Sequence, residues 1–423
     1  MKIQTINPAT EEVIAEYETA GKEQAVKVMR NSKVAAKDWR SEDISERTTQ
    51  LKKISALLNE RKNDYGKLMT MEMGKPVKES MAELEKCIML VDYYCDNAQK
   101  FLEEEIVKTE AKKSYITFEP LGTVLAIMPW NFPFWQPLRF ALPAMIVGNT
   151  VILKHASIVT GTSLAIEKLF ADALPENVFQ SIIADSALAG AMIRSKYIDA
   201  VSLTGSVKAG ESVAAKAGKN LKKVVLELGG SDPFVVLEDA DLELTCKGAI
   251  RSRLRNAGQS CVAAKRFIVV KSIADEFTRR FVESIQKLKI GDPLDPETDV
   301  GPLSSAQQRD IIEQQVNDSV KAGAKVLIGG KRREGKGYFY EPTVLADVKN
   351  NMRVVKEETF GPVAPIVIVK DERAAVKEAN NTDLGLGASV WTSNREKGEK
   401  IARQLQAGIV TVNRMVTSDI KMP

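Results

Sequence analysis

The chain has 423 residues, 44% hydrophobic and 27% charged, with 60 basic against 56 acidic side chains for a net charge of +4. That length exceeds one ordinary core and calls for two or three globular domains, and the near-balance of charge leaves no field to draw nucleic acid or an anionic membrane. No apolar run reaches the ~18 residues of a membrane span and the N-terminus MKIQTINPATEEV lacks an apolar signal core, which predicts a cytoplasmic protein.

The first hundred residues are charged and helical in pattern. In SERTTQLKKISALLNERKNDYGKLM, from Ser45, apolar residues recur at helical spacing throughout. From Ser114 the text changes to short β-branched runs, YITFE, TVLAIM, TVILK, QSIIA, AVSLTG, KKVVLELG and PFVVLED. Helix-length segments such as SLAIEKLFADA and SVKAGESVAAKAGK separate them. Strand alternating with helix predicts an α/β fold with a mostly parallel sheet covered on both faces. After Gly230 the alternation continues with the helix DLELTCKGAIRSRLRNAG, strand RFIVV, helix ADEFTRRFVESIQKL and strands PIVIV, ASVWT and IVTVN. The paired glycines 229 and 230 mark a boundary between two α/β domains, where a crevice can form a site.

The chain contains one histidine, His155, which removes most histidine-based zinc sites and nearly all serine or cysteine hydrolase triads. A proton-transfer base is then a carboxylate or a lysine. The four cysteines, 87, 95, 246 and 261, fall in no CxxC spacing and predict reduced thiols. Cys261 ends RNAGQSC, a run of small and polar residues unlike the apolar surroundings of a structural cysteine.

Two glycine-rich stretches fall short of a phosphate loop. GSVKAG at 205–210 is followed by Glu211 and Ser212, with no lysine after its last glycine, and GKRREGKG at 330–337 ends in Gly337 where a hydroxyl should ligate magnesium. LTGS at 203–206 puts a glycine and a hydroxyl ahead of an Ala-rich helix, where Ser206 can receive a phosphate or simply cap the helix. Glu227 is a lone carboxylate in KKVVLELGG, either on a solvated face by alternation or at a functional strand end. PWNFPFWQPLRF at 129–140 sets Asn131 among aromatic residues, an amide in the low-dielectric setting an oxyanion needs. Lys154 ends the strand VILK, a position equally suited to a surface lysine.

In this order and spacing, PWNFP, VILK, LTGS, LELGG, GQSC and EETFGPV (357–363) resemble the NAD(P)-dependent aldehyde dehydrogenases over essentially the whole chain. The resemblance implies two doubly wound α/β domains with a small β oligomerisation region. The NAD(P)-binding domain would span 1–101 and 119–228, the catalytic domain 229–413 and the oligomerisation strands 102–118. Cys261 would be the nucleophile and Asn131, with the Cys261 N–H, the oxyanion donor. Glu227 would activate the water that hydrolyses the thioester. Relatives that pass the acyl group to coenzyme A lack a base there, so this chain should release a free acid. Lys154 would hold the adenosine ribose, Gly205 and Ser206 the pyrophosphate, Glu358 and Phe360 the nicotinamide ribose and ring, with Trp130 alongside. Ser157 stands where NAD-preferring relatives often carry a glutamate, so NADP or NAD is expected, with room and charge for a 2′-phosphate.

WQPLRF and KHAS further resemble succinate-semialdehyde dehydrogenases, in which the arginines matching Arg139 and Arg255 clamp the substrate carboxylate. The alternative is that both pair with protein carboxylates, leaving a neutral or hydroxylated aldehyde as substrate. Ser418 lies near the family's last substrate contact. The chain stops at SDIKMP, where relatives continue with a further strand that pairs with a neighbouring subunit, so 414–423 is expected to be a truncated segment and a homodimer or homotetramer to need that tail. No metal is expected. A catalytically silent member of the fold, serving a structural or binding role, is the reading from another class.

Overall fold

The computed structural model describes residues 2–422. Two parallel sheets organise these residues. The first has five strands in the order Phe179–Ser181, Thr150–His155, Thr123–Met128, Ala200–Thr204, Lys223–Glu227, all parallel. The chain enters at the central strand Thr123–Met128, winds to one edge, then returns to build the other. The strand order therefore reverses between Thr123–Met128 and Ala200–Thr204, the kind of switch point at which open α/β sheets form a crevice.

The second sheet has seven strands in the order Lys325–Ile328, Thr343–Ala346, Val363–Val369, Ala264–Val270, Asp232–Val236, Gly387–Trp391, Ile409–Val412. Only Lys325–Ile328 runs antiparallel to its neighbour. Central strands such as Asp232–Val236 and Gly387–Trp391 are buried along their whole length, which is why they read as continuous apolar runs. Edge strand Lys223–Glu227 alternates instead, with Lys223 and Val225 facing solvent.

The first hundred residues depart from an all-helical reading. Lys2–Ile6 and Val13–Glu18 form an antiparallel hairpin. The periodic stretch from Ser45 is two helices, Ile44–Glu60 and Lys62–Met73, broken at Arg61. Arg61 leaves the helical conformation (φ −99°, ψ 11°) and its guanidinium meets Asp172 at 2.8 Å. The apolar period survives the break because both helices pack on Val77–Phe101, so the pattern alone could not show it. The run YITFE shortens to Tyr115–Ile116, paired with Glu105–Ile106 in an exposed two-stranded ribbon. Lys325–Ile328 and Thr343–Ala346 add strands that the pattern did not announce.

Helix Val77–Phe101 presents Ser80, Glu83, Leu84, Cys87, Leu90 and Val91 to the interior. Glu83 is an acidic side chain inside a core and has a basic partner there: Lys75, itself buried, contacts its carboxylate. The other Glu83 oxygen accepts the backbone N–H groups of Phe134 and Trp135, each at 2.8 Å. This buried pair fixes the start of the helix Trp135–Val147 and, with it, the aromatic loop before it.

Candidate active site

The carboxyl ends of the first sheet face the amino ends of the second, and the candidate residues lie where they meet. Strand Thr123–Met128 runs out into Pro129, Trp130 and Asn131, and Ala200–Thr204 into Gly205 and Ser206. Cys261 precedes strand Ala264–Val270, while Glu358 and Phe360 precede Val363–Val369. Trp130, Asn131, Gly205, Ser206, Cys261, Glu358 and Phe360 line one cavity.

In that cavity Ser206 caps helix Val207–Lys219, its Oγ accepting the Ala209 N–H at 3.3 Å. The Glu358 carboxylate accepts the Gly230 N–H at 3.2 Å and lies 3.4 Å from the buried Lys265 ammonium. A side chain at 229 would come within 2.2 Å of Glu358 Oε2, so the glycine there is what lets the carboxylate sit against the strand end. Trp130 meets the Phe360 ring edge-on at 5.7 Å.

Lys154 and Ser157 lie apart from these, in a neighbouring cavity with Thr160, Ser163 and Asp185. Burial pulls the Lys154 ammonium below its ordinary pKa, with Asp185 opposing. His155 beside them is buried and structural: its Nδ1 accepts the Ala156 N–H at 3.0 Å, leaving Nε2 to donate to Pro133 O at 2.9 Å. Burial brings it down to about 4.

The stretch RNAGQSC turns by a sequence of left-handed residues. Asn256 (φ 54°) and Ala257 (φ 50°) hold conformations that L-residues seldom adopt, followed by Gly258 (φ 76°). Neighbouring groups over-determine them. Glu79 accepts the Asn256 N–H at 2.8 Å, and the Asn256 amide donates to Asn131 O at 2.9 Å and Gln259 O at 3.2 Å. Buried Arg253 donates to the carbonyls of Ala264, Gly258, Thr359 and Gly361. The Asn131 side chain in turn donates to Gln259 O at 3.1 Å, so the amide and the cysteine loop are one hydrogen-bonded unit.

Cys261 is partly exposed, yet enclosed enough that burial pushes its thiol up, with Lys265 opposing and Asp232 and Glu358 adding to the rise. Lys265 Nζ donates to Ser260 O at 2.9 Å and Cys261 O at 2.6 Å, which fixes its charge beside the loop.

Cys261 also lines a second cavity, on the far side of the loop, with Phe132, Trp135, Arg139, Glu227, Arg255 and Ser418. Here Glu227 is not a buried lone carboxylate: its side chain is 41% exposed and lies 3.7 Å from the Arg139 guanidinium. One of the two expected carboxylate-binding arginines thus already has a protein partner. Arg255 stacks over Phe132 at 5.2 Å, near half-buried Glu79. Lys86 lines the same cavity and was not singled out from sequence, nor were Lys265, Glu79 and Glu83. A signal existed: Glu79, Glu83, Lys86 and Leu90 are spaced by four, three and four, one face of a helix. Among the described residues no group of acidic, cysteine or histidine side chains could hold a metal ion, and no helix is long and apolar enough to cross a membrane.

A family model described as the aldehyde dehydrogenase family matches residues 1–423. The chain is 42% identical over 424 residues to a probable NADP(+) succinate-semialdehyde dehydrogenase of Synechocystis sp., covering 100% of this chain and 93% of that one. The crystal structure of succinic semialdehyde dehydrogenase from Streptococcus pyogenes with NADP+ superposes with a TM-score of 0.96 at 36% identity, over 98% of this chain and 92% of that one. Lactaldehyde dehydrogenase from Escherichia coli gives a TM-score of 0.96 at 36% identity, over 99% and 89%. With the whole chain matched by sequence and by fold, this protein belongs to the aldehyde dehydrogenase family.

Proposed function

We propose that this enzyme oxidises succinic semialdehyde to succinate, with NADP or NAD as the hydride acceptor. The observation that carries the reading is a single cysteine at the junction of two cavities, one of them lined by cationic side chains. The names of the Synechocystis and Streptococcus relatives support the substrate.

The residues present suit a nicotinamide dinucleotide. Gly205 and Ser206 lead into a thirteen-residue helix, Val207–Lys219, whose free N–H groups favour a pyrophosphate. Lys154 and Ser157 would hold the adenosine ribose, Glu358 the nicotinamide ribose, and Phe360 with Trp130 the ring. When bound, the cofactor accepts a hydride. On the protein side, the Cys261 thiolate adds to the aldehyde carbon, and the Asn131 amide and the Cys261 N–H stabilise the oxygen anion that forms. Hydride loss leaves a thioester on Cys261. Glu227 takes a proton from water, the hydroxide adds to the thioester carbonyl, and the acid departs as the thiolate is restored. In this reading residues 1–101 and 119–228 bind the dinucleotide, 229–413 carry the chemistry, and the ribbon within 102–118 contacts a second copy in a homodimer or homotetramer.

Hydroxylated aldehydes are the second reading, favoured by the Arg139–Glu227 contact, which draws one cation away from a carboxylate substrate. Initial rates of NAD(P)H formation with succinic semialdehyde, lactaldehyde and propanal decide between them. The acid aldehyde should lead in kcat/KM by about tenfold or more. Arg255→Ala should raise KM for it and leave KM for propanal nearly unchanged; equal effects on both overturn the substrate. An NAD efficiency about a hundredfold above that with NADP overturns the reading of Ser157, and no turnover with any of the three overturns the enzyme itself.

A further inference from the structure

The second cavity contains a cation for which the two-arginine reading has no task. Lys86 projects from the middle of helix Val77–Phe101 into the space lined by Cys261, Arg139 and Arg255. Its position is fixed from two sides. The ammonium lies 3.8 Å from the centre of the Trp135 ring, and it donates to Ser418 Oγ at 3.0 Å and to the Ser418 carbonyl. Cation–π contact and hydrogen bonding hold it without neutralising it. Among the described residues no carboxylate lies within 4 Å of Lys86, whereas Arg139 has Glu227 at 3.7 Å.

Charge around Lys86 is lopsided. From its own helix, Glu83 lines the cavity but is taken by Lys75, and Cys87 is buried beside it. The helix Trp135–Val147 contributes Arg139, the cysteine loop Arg255, the end of strand Lys223–Glu227 contributes Glu227, and the C-terminal segment Asp419. Burial first, then Arg255, bring the Lys86 ammonium down to about 8; Arg139 adds to the fall less strongly, and Cys87 and Asp419 oppose it. A pocket in which two guanidiniums work against the charge of a neighbouring ammonium is one that gains when an anion enters.

We propose that Lys86 is the specificity-determining cation of this pocket, reading the distal carboxylate of an acid aldehyde alongside Arg255 while Arg139 is shared with Glu227. The assignment rests on the acid-aldehyde reading and adds to it a residue, a division of labour and a pH dependence. Lys86 carries its charge below pH about 8 and loses it above. The affinity for the acid aldehyde should therefore fall as pH rises through that value, while that for a neutral aldehyde does not follow.

The test is the ratio of KM for succinic semialdehyde to KM for propanal, from pH 6.5 to 9.5, in the wild type, Lys86→Met and Lys86→Arg. In the wild type the ratio is expected to climb above pH about 8. Lys86→Met should raise it about tenfold or more at pH 7 and flatten the climb. Lys86→Arg should restore a low ratio at pH 7 and hold it low to pH 9.5, because the guanidinium keeps its proton. A merely structural lysine would alter kcat or yield and leave the ratio alone. If the wild type prefers the acid aldehyde and Lys86→Met keeps both that preference and the climb, the lysine assignment falls and the substrate reading stands. If the wild type shows no preference, the substrate reading falls and takes the assignment with it. Should Lys86→Met fail to bind NADPH, as a misfolded variant would, the wild-type climb decides alone, and a flat ratio overturns the proposal.

Discussion

Lys265 is the charge closest in purpose to the nucleophile. It is buried, it is fixed by two carbonyls of the cysteine loop, and it is the foremost group opposing the rise of the Cys261 thiol. Replacing it by glutamine keeps a donor for those carbonyls and removes the charge. Lys265→Gln should raise by about 1 the pH at which iodoacetamide alkylation of Cys261 reaches half its limiting rate. An unchanged profile would mean that the thiolate is stabilised by something else. At this scale the sequence was legible where composition was odd: small polar residues around Cys261, an asparagine among aromatics. It was silent on Lys265, Lys86 and Glu83, since a charged letter beside other charged letters looks solvated until a neighbouring element covers it.

Among the elements, strand Thr150–His155 ties two parts of the site together. Its last residue accepts from its own successor and donates to Pro133, anchoring the loop that carries Asn131. That arrangement needs a neutral imidazole, and the folded value of about 4 lies below the ordinary 6.5. The group therefore contributes stability in full above pH about 6.5 and loses it progressively as pH falls towards 4, about 3 kcal/mol at the limit. Melting temperatures of the wild type and His155→Gln should converge as pH is lowered from 8 to 4.5; a constant gap would show that His155 does not titrate in this way. Elements with uniform burial, such as Asp232–Val236, were readable as apolar runs. The break at Arg61 was not, and the partner its side chain meets there, Asp172, is more than a hundred positions away in sequence. The strand Lys325–Ile328, half-exposed at a sheet edge, carries too weak a pattern to announce itself.

For the molecule as a whole, alternation of strand and helix after Ser114 announced parallel sheets, but nothing local says that the carboxyl ends of one would face the amino ends of the other. That opposition delivers Asn131, Cys261 and Glu358 to one place from three separate connections. The ribbon Glu105–Ile106 and Tyr115–Ile116 stands away from both sheets, with Ile106 66% exposed and Phe118 56% exposed beside it. Apolar surface so placed favours association. Ile106→Glu combined with Ile116→Glu should convert an assembled enzyme to monomer in light scattering; a mass unchanged from the wild type would place the subunit contact elsewhere.

Helix Val77–Phe101 spends its charged residues inward, with Glu79 on the Asn256 N–H, Glu83 on the Phe134 and Trp135 N–H groups, and Lys86 over Trp135. Each successive residue of a helix turns by about 100°, so one residue gained or lost between Glu83 and Lys86 would swing the lysine out of the cavity while the two carboxylates stayed in place. This stretch can therefore accept exchange of letters on its outer face but no change in length, and descendants of this gene should vary there by substitution alone.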